Sequence, residues 1–212
     1  WRLHVVTRNL SAGLLRRRTG KLSLPALQRR QPASKAAALL SEYLRLWERG
    51  GCVSSEIAIE KLTREAFAPF GDVLEIGTVE PVMINRGMCA RYSDLALMDL
   101  DANGRLGISI FAAKAYELHL QLEMLERHPY GSQAFLPTTP KPFLVIVAED
   151  NAGTPGKPRA FMTAPGQGVN YHRGTWHGVL TPLEEARFFV IDRIGEGANL
   201  EEHWFATTYV VK

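Results

Sequence analysis

From Ile57 onward the chain never runs far without a turn. Short apolar or alternating runs fall at 72–77, 82–85, 90–100, 106–113, 116–125, 133–137, 143–149, 158–164, 168–172, 177–183 and 188–194. Turn signals such as ANGR at 102–105, NAGTPGKP at 151–158 and APGQG at 164–168 separate them. Strands this short bury a face only by pairing in sheets, and their regular punctuation belongs to all-β sandwiches and barrels. In YELHLQLEML, alternation sends Leu118, Leu120 and Leu122 one way and His119, Gln121 and Glu123 the other. No βαβ rhythm or internal repeat competes with this reading, and a short helix is predicted over 63–70, capped by Thr63.

Composition removes several function classes. The longest apolar stretches, such as FLVIVA at 143–148, are strand-sized, so no membrane span is expected. Only Cys52 and Cys89 are present, without zinc-ribbon spacing or a disulfide framework, which fits a reducing, cytoplasmic compartment. Residues 1–55 hold eleven Lys or Arg against Glu42 and Glu48, a local charge of +9, and the remaining 14 basic and 20 acidic residues leave −6 over 56–212. The chain therefore divides into a basic, partly disordered N-terminal extension (1–55) and a main domain (56–212). Within the extension a helix is predicted at about 34–48, capped by Ser34 and ended by Gly50 and Gly51. The basic, acid-poor extension also reads as an organelle-targeting segment, and the start at Trp1 reads as a truncated or processed chain. Nucleic acid is not expected as a partner, because a basic mobile segment attracts phosphate without specificity.

Chemistry concentrates in LERHPYGSQAFLP (125–137) and VNYHRGTWHGVL (169–180). Glu126 and His128 share one face of a strand. Gln133 follows a turn holding Pro129 and Gly131, so a returning strand is expected to bring its amide beside His128. His172 and His177 are expected on a second strand pair. Inward-facing Glu, His, Gln and His are costly without partners, so they bind something or satisfy one another. Glu126, His128, Gln133 and His177 offer N and O donors suited to a divalent ion such as nickel, manganese or zinc, and equally to proton transfer.

The spacing E-x-H-x4-Q with a late G-T-W-H resembles a variant of the two cupin motifs. Glu126 stands at the first histidine of that pattern, His128 at the second, Gln133 at the glutamate and His177 at the last histidine. The likeness implies a cupin-like double-stranded β-barrel of jelly-roll type. Together with INRGMCARYSDLA (84–96) and FFVIDRIGEGANLEE (188–202), the two segments resemble the signature stretches of ureidoglycolate lyases, in order over about 57–207. The chain departs from that family's usual pattern where Ala112 stands for an arginine, Ala115 and His119 for prolines, and Gly178 and Val179 for a histidine and a proline.

What the resemblance implies is cleavage of ureidoglycolate to glyoxylate and urea in allantoin degradation. Removing a hydroxyl proton, protonating the leaving nitrogen and fixing a carboxylate require no nucleotide cofactor. His128 and His177 are the expected proton carriers, with Glu126 positioning or sharing the proton. Gln133 would orient the ureido group or complete a metal shell. Arg91 or Arg193 would hold the carboxylate, Arg91 being preferred, and Asn85, Tyr92, Asn170 and His172 are further substrate contacts. Tyr171 and Asp192 rank behind these, and Tyr171 and Trp176 read chiefly as core. A homodimer is implied by the resemblance and by the open sheet edge of such barrels. Another metal-dependent cupin enzyme, an isomerase or dioxygenase, and a non-catalytic small-molecule-binding cupin are the alternatives.

Overall fold

A computed structural model describes residues 55–77 and 79–212. The basic extension and its helix over 34–48 lie outside the described residues. In chain order the strands are β1 Ser55–Ile57, β2 Ile59–Lys61, β3 Gly71–Leu74, β4 Val82–Ile84, β5 Cys89–Arg91, β6 Arg105–Ala113, β7 Leu120–Arg127, β8 Gln133–Pro137 and β9 Phe143–Ala148. They continue as β10 Asp150–Asn151, β11 Thr154–Pro155, β12 Arg159–Met162, β13 Gly168–Tyr171, β14 Trp176–His177, β15 Thr181–Pro182, β16 Ala186–Ile194 and β17 Glu201–Val211. An eight-stranded sheet runs β1-β17-β7-β14-β9-β12-β2, with β15 also on β9, and a five-stranded sheet runs β3-β13-β8-β16-β6. This is the all-β, cupin-like barrel expected of the sequence.

The two sheets close on an aromatic core. Phe143 and Val145 from β9, Phe161 from β12, Phe135 from β8 and Phe188 and Val190 from β16 form one buried cluster, and the Phe143 and Phe188 rings meet edge to face at 5.0 Å. FLVIVA is buried at every position because Phe143, Val145 and Val147 join this inner cluster while Leu144, Ile146 and Ala148 join a second one on the outer face. Thr63 caps the helix as predicted, its hydroxyl accepting from the Ala66 amide at 3.2 Å, but α1 is a single turn, Arg64–Phe67. Its work is to drive Phe67, fully buried, against Phe161 and Tyr171.

Four local expectations need correction. Alternation in YELHLQLEML does not begin at Tyr116: strand pairing starts at Leu120, and Leu118 is exposed. Leu122 and Leu125 are both buried in the outer cluster, three positions apart, because the β17 register slips between Trp204 and Tyr209 and re-phases β7. Of 90–100, only Ala90 and Arg91 lie in a strand, apart from a bridge at Leu100, and the stretch 177–183 breaks into β14 and β15. Most consequential, β8 does not return beside β7. The turn at Pro129 and Gly131 carries the chain from one sheet to the other, so Gln133 belongs to a different sheet from β7 instead of pairing with it.

Among the described residues no helix is long and apolar enough to cross a membrane. Truncation of the inner wall tests the architecture. Phe188→Ala is predicted to cost about 3–5 kcal/mol in guanidinium unfolding, and Phe189→Ala, on the opposite and more exposed face, less than about 1 kcal/mol.

Candidate active site

Three strand positions converge inside the barrel. Glu126 lies near the end of β7, His128 directly follows that strand, and His177 on β14 pairs with Glu126 across the ladder. Alternation points Glu126 and His128 to one side, and His177 shares the inner face with its β9 partner Val147. One ligand atom from each of Glu126, His128 and His177 lies within 4.8 Å of the others. The two imidazole rings are 5.2 Å apart, tilted by 43°.

Both imidazoles are oriented by backbone carbonyls. His128 Nδ1 lies 2.6 Å from the Asn199 carbonyl and His177 Nδ1 lies 3.0 Å from that of Gly178, so each Nδ1 carries the proton it donates. Each Nε2 is left with its lone pair, and both are buried without a partner. An imidazole with Nδ1–H on a carbonyl and a bare, buried Nε2 has the orientation that a metal ligand or hydrogen-bond acceptor requires. The residues present therefore fit a divalent cation.

Electrostatics separates the three groups. Burial, then the neighbouring His128, pushes His177 down to about 3, against the raising effect of its bond to Gly178. Its 4.0 Å approach to Glu126 is therefore a contact of a neutral ring and not an ion pair. Burial pushes the Glu126 carboxyl above its ordinary value, opposed by His128 and aided by Glu202, its partner on β17.

The opposite wall is polar as well. Tyr171 of β13 stacks flat on His177, with centroids 4.2 Å apart and planes within 4°. Gln133 pairs with Tyr171 across β8 and β13, and its Nε2 donates to Asp192 Oδ2 of β16 at 3.3 Å. Tyr171 is thus both core, as expected, and a wall of the site.

The other expected contacts lie outside the Glu126–His128–His177 group. Arg193 is buried with its guanidinium on Asp101, the Glu196 carbonyl and the Tyr130 ring. Asn170 is fully buried and donates to Asp72 and to the Leu97 carbonyl, and His172 faces Asp72 at 3.5 Å. Asn85 and Arg91 are exposed in the β4–β5 ribbon, which is separate from both large sheets, and half-buried Tyr92 follows it. The departures in sequence also fall outside the cluster. A Cβ at Gly178 would meet Ile146 of the outer cluster at 3.2 Å, so a side chain there faces away from His177's cavity. Ala112 is exposed on β6, where with Lys114, Thr138 and Lys141 it lines a separate cleft of about 530 Å³.

Sequence reasoning missed Asn199. Its backbone carbonyl takes the His128 proton while its side-chain oxygen accepts from the Tyr130 amide at 2.8 Å, so one residue holds the His128–Tyr130 turn at both ends. No residue spacing announces this, because the contact spans 71 positions.

Two predictions follow from this geometry. Asn199→Ala, which removes the side-chain anchor on the Tyr130 amide and so loosens the carbonyl that faces His128, is predicted to shift His128 from the Nδ1–H form toward a tautomer mixture in ¹⁵N NMR, while Asn199→Asp, which keeps that side-chain acceptor, preserves it. An unfolded histidine titrates near 6.5 and His177 near 3, so between those values the unfolded chain binds the extra proton. Stability is then lost as pH falls through the window, by about 2 kcal/mol at pH 5 from this group. The raised carboxyl of Glu126 works in the opposite sense, since the folded state takes up its proton first. Guanidinium unfolding at pH 7 and pH 5 in chelator measures the sum, and His177→Gln should show a smaller acid loss than the parent.

Comparison with known proteins identifies the family. The profile of the ureidoglycolate lyase family covers residues 54–212. A ureidoglycolate lyase of Chelativorans sp. is 54% identical over 158 residues, 74% of this chain and 96% of the relative. One of Mesorhizobium japonicum is 52% identical over 74% of this chain and 98% of its own length, and one of Rhodobacter capsulatus 56% identical over 69% and 92%. A barrel with this cluster, matched nearly end to end by such relatives, belongs to the ureidoglycolate lyase family.

Proposed function

We propose that the protein cleaves (S)-ureidoglycolate to glyoxylate and urea, a step in allantoin and purine-nitrogen degradation, with Glu126, His128 and His177 as its reacting groups. The observation that carries the reading is the grouping of Glu126, His128 and His177, with ligand atoms within 4.8 Å of one another and both histidine Nε2 atoms buried without a partner, in a chain of this family. The substrate holds a hydroxyl, a carboxylate and a ureido nitrogen on one carbon. Glu126 accepts the hydroxyl's hydrogen bond and takes its proton, and the imidazole lone pairs are left to the ureido N–H or to a bound ion. As the carbonyl of glyoxylate forms and the C–N bond breaks, the same proton passes to the departing nitrogen and urea leaves. Burial suits Glu126 to this exchange, because a carboxyl titrating closer to neutrality both accepts and returns a proton well.

Glu126, His128 and His177 would hold a divalent ion such as nickel, manganese or zinc, which when bound would polarise the substrate oxygens. With three protein donors, such an ion would remain open to the substrate's own oxygens. Of the two arginines considered for the carboxylate, Arg193 is committed to Asp101, whereas exposed Arg91 is assigned to the substrate.

The assembly assigned is a homodimer. Among the described residues strand β6 pairs only with β16 and leaves a sheet edge bearing Ile108 and Ile110, exposed by 74% and 64%, which a second copy can cover. The exposed free thiol of Cys89 suits a reducing, cytoplasmic compartment.

Urea release from (S)-ureidoglycolate by the purified protein is the direct test, with elemental analysis of the same sample for bound metal. His128→Ala and Glu126→Gln should each lower kcat/KM by about 10²–10⁴, and Arg91→Ala should act chiefly on KM. Absence of urea release by the parent protein would overturn the assignment. Sedimentation should show a dimer that Ile110→Lys dissociates.

A further inference from the structure

On the five-stranded sheet, the side facing the imidazoles carries its own unsatisfied chemistry. Gln133 is only 7% exposed. The β16–β8 register, Ile191 on Ala134, continues to place Asp192 beside Gln133, and Gln133 pairs in turn with Tyr171. Phe188 and Val190 fix the even positions of β16 on the inner face, and Phe135 does the same for the odd positions of β8. Asp192, Gln133 and Tyr171 therefore form a row on the inner wall, ending at the ring stacked on His177.

The hydrogen bond inside this row fixes which atoms stay free. A carboxylate only accepts, so the Gln133 amide must turn Nε2 toward Asp192 Oδ2, and its oxygen is left as an acceptor. Gln133 Oε1 and Asp192 Oδ1 are both buried and meet no donor. Two buried acceptors side by side carry an uncompensated desolvation cost that a ligand with paired N–H donors would relieve.

We propose that Asp192 and Gln133 form the ureido subsite, with Asp192 Oδ1 and Gln133 Oε1 accepting the N–H groups of the substrate's ureido end. The assignment rests on the lyase reading and adds to it the residues that determine specificity. Asp192 has two tasks: it locks the Gln133 amide and it supplies the second acceptor. A site built on N–H donation rejects ligands that lack it far more strongly than an apolar pocket would.

Binding of two small ligands to the full chain tests this by calorimetry. N-carbamoylglycine keeps the carboxylate and ureido group but lacks the hydroxyl, so it does not react, whereas glyoxylate has no N–H. Asp192→Asn places an NH₂ where an acceptor stood and should weaken N-carbamoylglycine at least tenfold, with glyoxylate changed less than twofold. Gln133→Met, similar in size, should give the same contrast, and unchanged thermal melts establish that both variants fold. Equal losses for both ligands, no loss for either, or no binding of N-carbamoylglycine by the parent chain overturns the subsite. Urea release with any of those results retires the subsite and keeps the lyase, and the predicted contrast without urea release does the reverse.

Discussion

The constraint on which the proposed chemistry of this barrel depends is that two imidazole nitrogens are buried and unpaired. Burying a polar atom without a partner is unfavourable, and here it is tolerated because every other polar edge of the two rings is satisfied. Asn199 and Gly178 take the Nδ1 protons, and the Tyr171 ring covers one face of His177. The aromatic packing between the sheets excludes water behind them. Without that rigid wall, either ring would turn and find water or a neighbouring carbonyl. The strands are thus organised around an unsatisfied pair as much as around a hydrophobic centre.

Opposite the rings stands a second set of unsatisfied atoms of complementary kind. The eight-stranded sheet contributes two neutral nitrogen lone pairs and a carboxyl whose proton affinity is raised by burial. The five-stranded sheet contributes only oxygen acceptors. On the proposed assignment, a substrate with a hydroxyl at one end and N–H groups at the other would span these two surfaces in one orientation. Specificity then comes from the distance between two sheets, which side-chain packing sets, more than from any one contact.

Much of this was legible in the sequence. The all-β character, the helix cap at Thr63 and the shared face of Glu126 and His128 depend on local alternation and local hydrogen bonding, which neighbouring residues determine, whereas β17, Glu201–Val211, was not read as a strand. The convergence of His177 with that pair came from a resemblance in motif order and not from periodicity. What stayed hidden depends on pairing between distant segments. Whether the turn at Pro129 closes a hairpin or changes sheets is decided by which strands flank β8, and those are β13 and β16. The same holds for Arg193, whose partner is 92 positions away on a loop with no strand signal, and for Asn199. Leu125 was unreadable for a different reason, since a register slip in a partner strand reverses the phase of the alternation.

Strand β14 is only two residues long, yet it divides an indole from an imidazole. Trp176 lies on the outer face, donating to Asp150 at 2.8 Å beneath the Arg127 guanidinium, while His177 points inward. Arg127 also bonds Asp150 and Glu201, so indole, cation and two anions form one clasp. So short a ladder cannot resist sliding by its own backbone bonds. The clasp on the outside is thus the latch that decides which ring is delivered to the cavity, and sequence changes that leave every reacting group intact can still disable the protein by loosening it.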